Sequence, residues 1–498
     1  MMDRDASVRR ISDASRLWDI AVIGGGATGV GIALDAASRG YSVCLFEQSD
    51  FGKGTSSRST KLIHGGVRYL QQGNISLVNE ALKERGILRQ NAPHLVHELA
   101  FVLPNYAWWE AAFYGIGLTI YDILGFRRGF GNSRHLGKAE TVSRVSTIKQ
   151  DGLRGSVLYF DGQFDDSRLL IALAQTADEQ SAALLNYAKV VELTHDASGV
   201  VDGLVVAELE SGRRFPIRAR CVINATGAFG DAVRKMDDPA AAALIAPSQG
   251  IHIVVERSFL PGDTALIVPK TSDGRVMFAI PWHGHTLIGT TDTPIDDVSL
   301  EPRAHEKEIA FLLDAASRYL VKAPTRADIL SVFTGIRPLV KASSTKRTST
   351  LARDHTIEVS KSQLITILGG KWTTYRKMAE DCVDRAGVVG RLEKRPCVTE
   401  TLRIHGDEDE RDRDGPATVS DVLPIHADRV VRAVRTEMAR TVDDVLSRRT
   451  RAIFLNARAA IAMAPEVARL MAVEMGRDAE WERAQVLEFS AMAQSYLA

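Results

Sequence analysis

One stretch near the N-terminus, residues 19–47, constrains the fold of this chain more than any other. Residues 19–23 form an apolar, β-branched run typical of a buried strand, and Gly24, Gly26 and Gly29 follow as G-x-G-x-x-G. Glycines at this spacing permit a tight turn, close approach of the backbone to a pyrophosphate, and close packing of a helix on a strand. The N-terminus of the following helix offers unpaired N–H groups to the phosphates. The stretch therefore predicts a dinucleotide-binding βαβ unit.

Glu47, which ends the second predicted strand, narrows the class of dinucleotide that the unit can bind. It lies 21 residues past Gly26, where an acid accepts hydrogen bonds from the ribose hydroxyls of an adenosine. The next residues, Gln48 and Ser49, carry no positive charge, so a 2′-phosphate has no obvious partner. A glycine motif alone can be a turn without function, but strand, helix and acid together make a strong signal.

Three later segments are predicted to return to the same ligand. A Ser/Thr-rich loop at 55–60 follows the acid, a buried strand ends in the A-T-G tripeptide at 225–227, and a G-G pair at 369–370 leads into a helix near Thr373. Such turns and helix N-termini supply the N–H groups that a bound cofactor needs. Several returns of the chain to one cofactor favour a large, deeply buried FAD over an exchangeable NAD.

Composition excludes several classes of function. A chain of 498 residues predicts two or three domains. Lys plus Arg and Asp plus Glu both number 62, so no global field attracts nucleic acid or an anionic membrane. The four cysteines lie far apart without metal-ligand spacing, which predicts a reducing cytosol and no metal site. No apolar run reaches the ~20 residues that span a bilayer, so we expect a cytosolic protein that at most rests on a membrane surface.

The order of predicted elements indicates three structural parts. Short strands with turn signals between residues 250 and 290 predict an antiparallel sheet inserted into the nucleotide-binding domain, and the Ala-, Arg- and Leu-rich tail predicts helices. The polar residues 1–17 are expected to be frayed. The predicted boundaries are 18–95, 150–235 and 335–400 for the FAD-binding domain, 96–149 and 236–334 for the substrate domain, 401–416 for a solvated linker, and 417–498 for a helical C-terminal domain.

The most hydrophobic and aromatic part of the chain, residues 107–126, has two interpretations. Trp108 and Trp109, with the trailing Arg127 and Arg128, resemble a helix that lies in a membrane interface. Two acids within the stretch argue against a spanning helix. The alternative is a buried pair of core helices, and both interpretations stay open at this point.

Seven segments, in order along the chain, resemble the FAD-dependent glycerol-3-phosphate dehydrogenases. They are GGGATGVGIALDAASRG, TSSRSTKLIHGGVRYL, FVLPNY, NATG, GTTD at 289–292, GIRPL at 335–339 and GGKWTTYRK at 369–377. The likeness covers roughly residues 19–400, and the helical tail is similar to the C-terminal cap of bacterial members. It implies an α/β fold with an FAD-binding Rossmann-like domain of the glutathione reductase and D-amino-acid oxidase type, an inserted antiparallel-sheet substrate domain, and an all-helical C-terminal domain.

The resemblance also implies a reaction and its partners. The reaction is oxidation of sn-glycerol 3-phosphate to dihydroxyacetone phosphate, with a hydride passing from substrate C2 to flavin N5 and electrons continuing to a membrane quinone. The implied location is the cytoplasmic face of the inner membrane, as a peripheral protein. The sequence leaves open which quinone is used, whether a homodimer forms, and whether FAD is covalently held.

The substrate residues follow from the charge of the substrate together with the resemblance. A phosphate monoester carries nearly two negative charges at pH 7 and needs Arg or Lys in fixed geometry. Arg68, Arg337 and Lys371 lie in glycine-flanked turns that match family motifs. A base with a pKa near 7 suits removal of the C2 hydroxyl proton, and His252 matches the family's active-site histidine. Without that match, a lone His in an apolar strand is more often a hydrogen-bonded core residue. Tyr69 either hydrogen-bonds substrate or packs.

The residues predicted to contact FAD come from the glycine turn, the loop after it and the later returns of the chain. They are Gly24, Gly26, Gly29, Glu47, Thr55, Ser56, Ser57, Lys61, Leu62, His64, Gly65, Val190, Ala225, Thr226, Gly227, Gly370, Lys371, Trp372 and Thr373. The helix that begins near Thr373 is expected to direct its dipole at the N1/C2 carbonyl edge of the flavin.

Three rival hypotheses remain. The first is an oxidase of the same fold that passes electrons to O2 and releases H2O2. The second is an oxidase of 2-hydroxy acids or amino acids, and the third is a flavin-binding module without turnover.

The sequence departs from the family pattern in places. Trp372 stands where a smaller aliphatic residue is common in the family, and the chain has no EF-hand loop like that of the mitochondrial enzyme.

Overall fold

A computed structural model describes residues 2–66, 75–125, 130–268, 271, 274–341, 355–406, 418–420 and 422–498. The strands are β1 Leu17–Trp18, β2 Ile20–Ile23, β3 Val43–Phe46, β4 Leu62–Ile63, β5 Val96–Asn105, β6 Arg134–Gly137, β7 Gly155–Phe164, β8 Ala183–Leu185, β9 Ala188–His195, β10 Val201–Glu208, β11 Arg214–Ala219, β12 Val222–Asn224, β13 Ile245–Glu256, β14 Thr264–Val268, β15 Met277–Trp282, β16 His285–Gly289, β17 Thr293–Pro294, β18 Ser331–Val340, β19 His355–Val359 and β20 Ile365–Gly369.

The helices alternate with these strands and then continue alone to the C-terminus. They are α1 Arg4–Ile11, α2 Ala27–Ser38, α3 Ile75–Asn91, α4 Glu110–Gly125, α5 Lys138–Arg144, α6 Asp166–Glu179, α7 Gly230–Asp237, α8 Glu306–Tyr319, α9 Tyr375–Val389, α10 Ala427–Thr436, α11 Ala452–Leu455, α12 Ala457–Met475 and α13 Ala479–Ala493, with a π-helical turn at Asp444–Arg449.

A six-stranded sheet carries the predicted nucleotide-binding unit. Its order is β19-β20-β12-β2-β3-β8, with parallel neighbours from β20 to β8 and an antiparallel edge strand, β19. Every residue of β2 and β3 is buried, as expected for a parallel sheet covered on both faces. The prediction for residues 19–47 is confirmed, because β2, α2 and β3 follow one another there.

A ten-stranded sheet, largely antiparallel, lies beside the first. The order is β17-β13-β16-β15-β14-β5-β7-β4, with β18 paired to β13 and β6 paired to β7. Separate hydrophobic cores join this sheet to α8 and to the C-terminal helices. A third, four-stranded sheet has the order β1-β11-β10-β9. Strands β7 and β18 belong to the larger sheet although they overlap stretches assigned to the FAD-binding domain, and the domain boundaries stay a prediction.

The N-terminal segment is ordered, so the prediction of a frayed lead-in was wrong. Asp3 caps α1 by accepting a hydrogen bond from the Ala6 N–H at 3.0 Å. Arg4 donates to Glu208 at 2.6 Å, and Met2 is buried. Glu208 lies 204 positions from Arg4 in the sequence, so local polarity alone did not reveal this contact.

The aromatic stretch forms one helix, α4, with the two tryptophans just before it. Trp108 is 79% exposed and Ile123 is 67% exposed, whereas Tyr121 is buried. The interpretation as a buried pair of core helices was therefore wrong. Within the described ranges, no helix has the length and hydropathy needed to cross a bilayer.

The C-terminal part is helical, as predicted. From residue 422 onwards α10 to α13 pack on one another and on the ten-stranded sheet. The predicted linker is described only as far as residue 406, because residues 407–417 lie outside the described part of the chain.

Candidate active site

A cleft of about 420 Å³ opens where β2, β3 and β12 end. Its wall contains the glycine turn after β2, the acid after β3 and the A-T-G segment after β12. The carboxyl ends of parallel strands are where α/β sheets bind nucleotides. Segments that are far apart in sequence therefore converge on one site of the expected kind.

The glycine turn requires glycine for two different reasons. Gly24 has a φ of +109°, and a Cβ there would lie 2.7 Å from the Ala225 carbonyl oxygen. A Cβ on Gly29 would lie 1.9 Å from the Gly24 carbonyl oxygen, so glycine at position 29 allows α2 to pack closely on the turn. The Ser56 hydroxyl accepts a hydrogen bond from the Ala27 N–H at 2.9 Å. The backbone of the turn thus forms the cleft wall, and the loop at 55–60 is held against it.

The acid after β3 is held by backbone groups. The Glu47 carboxylate accepts hydrogen bonds from the Gly25 N–H at 2.7 Å and from the Ser49 N–H at 2.9 Å. Burial raises the pKa of Glu47 above its ordinary value, and the two N–H donors oppose that shift. Glu47 is therefore fixed in orientation at the cleft wall.

The turn at 369–372 also lines the cleft. Gly369 and Gly370 have φ of +76° and +79°, which glycine adopts without strain. Lys371 and Trp372 line the cleft. The Trp372 indole N–H donates to the Ser56 carbonyl at 2.9 Å, so this turn is tied to the loop after Glu47.

His252 lies on β13, buried and next to the cleft-forming loop. Its Nε2 is 2.9 Å from the Thr60 hydroxyl, and its ring stacks on Phe333 with centroids 4.9 Å apart. Burial, with smaller contributions from Lys61 and Arg337, holds the pKa of His252 well below its ordinary value. His252 is therefore neutral at pH 7, the state in which an imidazole can accept a proton.

Arg337 lies on β18, which pairs antiparallel with β13. Its guanidinium donates to the Thr291 carbonyl at 3.0 Å and pairs with Asp292 at 3.2 Å. A Cβ on Gly250 would lie 2.4 Å from the guanidinium, so this glycine leaves the space that Arg337 occupies. Gly250 and His252 lie on the same face of β13, because residues two apart in a strand share a face of the sheet. Arg337 and His252 therefore share one face of the sheet.

Behind His252 lies a buried ion network that the sequence did not predict. Lys61 Nζ pairs with Asp166 at 2.7 Å, and Arg451 pairs with the same carboxylate at 2.9 Å. Lys61 also donates to the Ser57 carbonyl at 2.8 Å. Burial lowers the pKa of Lys61 to about 7, although Asp166 opposes the shift. The side chain of Lys61 is engaged in the interior and does not line the cleft.

Comparison with known proteins identifies the family. The sequence model of the family described as FAD dependent oxidoreductase matches residues 19–376. A second model, described as the C-terminal domain of alpha-glycerophosphate oxidase, matches residues 397–482. A Caenorhabditis elegans protein named probable mitochondrial glycerol-3-phosphate dehydrogenase is 40% identical, and the match covers 94% of this chain and 72% of that protein. This chain belongs to the FAD-dependent glycerol-3-phosphate dehydrogenase family.

Two further relatives agree with this membership. The mitochondrial glycerol-3-phosphate dehydrogenase of Arabidopsis thaliana is 47% identical over 79% of this chain, which spans 64% of that protein. The solved structure of the glycerol-3-phosphate dehydrogenase from Bacillus halodurans, complexed with FAD, is 30% identical with a TM-score of 0.79 and covers 99% of this chain and 98% of that chain. The predicted family and fold class are confirmed.

The cofactor of this family is FAD, and the cleft fits it. The positive φ of Gly24 and the absence of a Cβ there let the Ala225 carbonyl pack against the glycine turn, which is the turn that would hold the pyrophosphate. Helix α2 begins at the cleft with Gly26 as its N-cap, which has no side chain to cap the helix, and a helix N-terminus of this kind favours a phosphate. Glu47 supplies the carboxylate that ribose hydroxyls need.

Most residues predicted to contact FAD line this one cleft. Those that line it are Gly24, Gly26, Glu47, Thr55, Ser56, Val190, Ala225, Thr226, Gly227, Gly370, Lys371 and Trp372. The predicted residues outside the lining are Gly29, Ser57, Lys61, Leu62, His64, Gly65 and Thr373. Their roles, like those of His252, Arg337 and Lys371 toward substrate, stay predictions. Arg68 and Tyr69 lie outside the described residues.

Sequence reasoning missed several residues of the site. Lys53 lines the cleft and pairs with Asp443 at 2.6 Å. Its position just after the ribose acid was the signal that was available. Thr60 and Asp166 had no comparable signal, because their roles depend on strands and helices that meet only in the folded chain.

Proposed function

We propose that this protein oxidises sn-glycerol 3-phosphate to dihydroxyacetone phosphate, with FAD as hydride acceptor and a membrane quinone as the final electron acceptor. The relatives named as glycerol-3-phosphate dehydrogenases support the choice of substrate. The observation that carries the proposal is the shared sheet face of Arg337 and the buried, neutral His252 beside the FAD cleft. A cation and a base on one face of the sheet suit a secondary alcohol that carries a phosphate.

The phosphate would be held by cations at the edge of the cleft. Arg337 is fixed by the Thr290 hydroxyl, the Thr291 carbonyl and the Asp292 carboxylate. A guanidinium held this way is oriented before substrate arrives, so the side chain loses little conformational entropy when it binds a phosphate. Lys371 lines the cleft, and Arg68 is the third cation that the resemblance assigns.

The hydroxyl proton would pass to His252. If Nε2 donates to the Thr60 hydroxyl, then Nδ1 carries the lone pair. Nδ1 makes no hydrogen bond to any described residue, so it is the nitrogen that we assign as proton acceptor. Bound FAD would supply the hydride acceptor for substrate C2, and loss of the hydride together with the hydroxyl proton would leave the ketone of dihydroxyacetone phosphate.

The test of this proposal is anaerobic addition of glycerol 3-phosphate to the purified holoenzyme. We expect the flavin absorbance to bleach with glycerol 3-phosphate and to persist with lactate or glycine. Bleaching by lactate or glycine but not by glycerol 3-phosphate would instead support an oxidase of 2-hydroxy acids or amino acids. No bleaching by any of them would support a flavin-binding module without turnover.

A second candidate is glycerol-3-phosphate oxidase. The match of residues 397–482 to a family described from an alpha-glycerophosphate oxidase favours it. Turnover in air distinguishes the two, because an oxidase releases one H2O2 per substrate whereas a dehydrogenase reduces a quinone analogue. We expect rapid reduction of the quinone analogue and little H2O2; stoichiometric H2O2 without reduction of the analogue would reverse the assignment.

We also propose that α4 and the residues before it rest in the membrane interface at the cytoplasmic face. Trp108, Trp109, Phe113 and Ile123 are exposed large apolar side chains at this place. Aromatic and apolar side chains on an interfacial helix enter the boundary between headgroups and acyl chains. Such docking would bring the protein to the layer in which quinone diffuses.

Sedimentation with anionic liposomes tests this docking. We expect the Trp108→Ser, Ile123→Ser double variant to bind liposomes several-fold more weakly than the wild type. The matched control is Val473→Ser with Leu487→Ser, which removes two apolar side chains that are each 71% exposed on α12 and α13. If both double variants sediment like the wild type, α4 is not the docking element.

A further inference from the structure

The loop that follows β3 lines the FAD cleft but has little regular structure of its own. We call residues 48–57 the cofactor loop; it contains a single 3₁₀ turn at Thr55–Ser57, and its Gly52 N–H donates to the Gly25 carbonyl at 3.0 Å. The residues of the loop that line the cleft are Gly52, Lys53, Gly54, Thr55 and Ser56. Functional loops are positioned by the scaffold that packs against them.

Part of that scaffold comes from the C-terminal end of the chain. Residues 443–451, which we call the arginine segment, include the π-helical turn, and Arg448 lies 398 positions after its partner Asp50. The structure describes all of the arginine segment, and none of its residues lines the FAD cleft. Any effect of this segment on FAD must therefore be indirect.

Asp50 is the first point at which the arginine segment holds the cofactor loop. The buried Asp50 carboxylate accepts hydrogen bonds from Arg449 at 2.8 and 2.9 Å, one on each oxygen, and from Arg448 at 2.5 Å. Burial alone would raise the pKa of Asp50, but the two guanidinium groups hold it below its ordinary value. Asp50 is therefore ionised, and a bidentate pair fixes both its distance and its angle.

Lys53, which lines the cleft, is the second point. Its ammonium pairs with Asp443 at 2.6 Å and with Glu301 at 2.5 Å. Asp443 also pairs with Arg448 at 2.9 Å. Arg448 is therefore connected to the loop both at Asp50 and, through Asp443, at Lys53.

The third point is Ser57, at the end of the loop. Arg451 donates to the Ser57 carbonyl at 2.8 Å and pairs with Asp166 at 2.9 Å. The Asp166 carboxylate also accepts a hydrogen bond from the Ser59 hydroxyl at 2.7 Å. The arginine segment thus holds the cofactor loop near its start, in its middle and at its end.

We propose that the arginine segment positions the cofactor loop for FAD, so that FAD affinity depends on these contacts with the C-terminal part of the chain. Arg448, Arg449 and Asp443 are positioning residues that act on FAD through the loop. A loop held in its binding geometry before the ligand arrives loses less conformational entropy on binding, which favours affinity. The inference concerns the cofactor and does not depend on which substrate is oxidised.

Titration of the full-length apoprotein with FAD tests the proposal. Arg449→Gln removes the bidentate pair with Asp50, while Glu437 keeps Arg168 as a partner at 2.9 Å. We expect the dissociation constant of FAD to rise about tenfold or more, and FAD to leave the diluted holoenzyme faster. The midpoint of thermal unfolding of the apoprotein is measured alongside. A lower midpoint with an unchanged dissociation constant would show a role in stability alone and would overturn the proposal.

Arg440→Gln is the matched control. Arg440 also donates to both oxygens of a carboxylate, that of Glu210, at 2.6 and 2.7 Å, and it also joins the C-terminal part of the chain to a distant segment. Both residues are described, and neither lines the FAD cleft. We expect the wild-type dissociation constant for FAD. A rise equal to that of Arg449→Gln would show that any loss of contact with the C-terminal part weakens FAD binding, against a specific role of the arginine segment.

A double-mutant cycle tests whether Arg449 acts through Asp50. If it does, Asp50→Asn combined with Arg449→Gln should bind FAD about as well as the weaker-binding single variant, because the second substitution has no intact pair left to break. Losses of affinity that add up in the double variant would mean that the two residues act independently, and the proposed route through the loop would be wrong.

A milder variant decides the question if Arg449→Gln gives no folded protein. Asp443→Asn keeps the shape of the side chain but removes the charge that Lys53 and Arg448 share. We expect FAD to bind several-fold more weakly, and a wild-type dissociation constant would overturn the proposal. Flavin bleaching by glycerol 3-phosphate is measured at saturating FAD, so its outcome is independent of these results.

Discussion

The FAD cleft and the substrate face of β13 are built in different ways. The cleft depends on backbone turns at the ends of short parallel strands, and a Cβ on Gly24 would collide with the Ala225 carbonyl. The substrate face is made of side chains, and the hydrogen bond between Thr60 and His252 joins residues 192 positions apart. A backbone-built site fails when an atom is added, whereas a side-chain site fails when a functional group is exchanged. The two regions should therefore respond to different substitutions.

The largest expected effect is on the substrate face. His252→Asn removes the proposed proton acceptor, and we expect the rate of anaerobic flavin reduction by glycerol 3-phosphate to fall about 10²–10⁴-fold. Stopped-flow absorbance of the flavin measures this, and the FAD content of the purified variant should equal that of the wild type. His195→Asn, which removes a surface histidine paired with Asp237, is the control. Loss of FAD in His252→Asn would contradict the separation of the two regions.

The next effect is on the FAD cleft. Gly24→Ala places a Cβ 2.7 Å from a carbonyl oxygen, at a residue with a φ of +109°. The steric contact and the strained backbone conformation each cost about 1–3 kcal/mol. We expect FAD affinity to fall tenfold or more, as measured by titration of apoprotein with FAD. Gly387→Ala, on α9 with open space around it, should bind FAD normally. Normal FAD affinity in Gly24→Ala would show that the turn can shift to accept a Cβ. The claim that the FAD cleft is sensitive to added atoms would then be wrong.

A smaller effect tests the substrate face by adding an atom. A Cβ on Gly289 would lie 2.1 Å from Cδ2 of His252, so Gly289→Ala should displace the imidazole at a cost of about 1–3 kcal/mol. We expect slower flavin reduction and a lower midpoint of thermal unfolding, with FAD content unchanged. Full activity in Gly289→Ala would mean that the ring position is not critical.

The smallest effect is a dependence of stability on pH. His252 has a folded-state pKa well below 6.5, so the unfolded chain binds one more proton than the folded chain as pH falls below 6.5. The stabilisation is present above 6.5 and is lost on acidification by up to about 1.4 kcal/mol per pH unit. Denaturant unfolding at several pH values should show a steeper loss for the wild type than for His252→Asn. Parallel curves would contradict a neutral, buried His252.

Sequence reasoning was more successful for the cleft than for the substrate face. The glycine spacing and the acid after β3 act within a short stretch, so the pattern of 19–47 was enough to predict the turn and its ligand class. The pairing of β13 with β18 brings Arg337 beside His252, and no local pattern encodes that register. The buried pair of Lys61 and Asp166 was missed for the same reason.

The N-terminal segment and the aromatic stretch show what local composition could not predict. α1 looked frayed by polarity, yet Arg4 is held by Glu208 on β10. The hydropathy of 107–126 allowed either burial or exposure, and packing decided it, with Trp108 left 79% exposed. Local composition does not report whether a distant partner exists.

The sequence by itself determined the nucleotide-binding turn, because backbone dihedral angles and the absence of a Cβ are properties of single residues at fixed spacing. Only the tertiary structure decided that His252 is neutral and that Arg337 shares its face of the sheet. Those properties depend on burial and on charges from distant segments, and both arise only when the sheets and helices pack together.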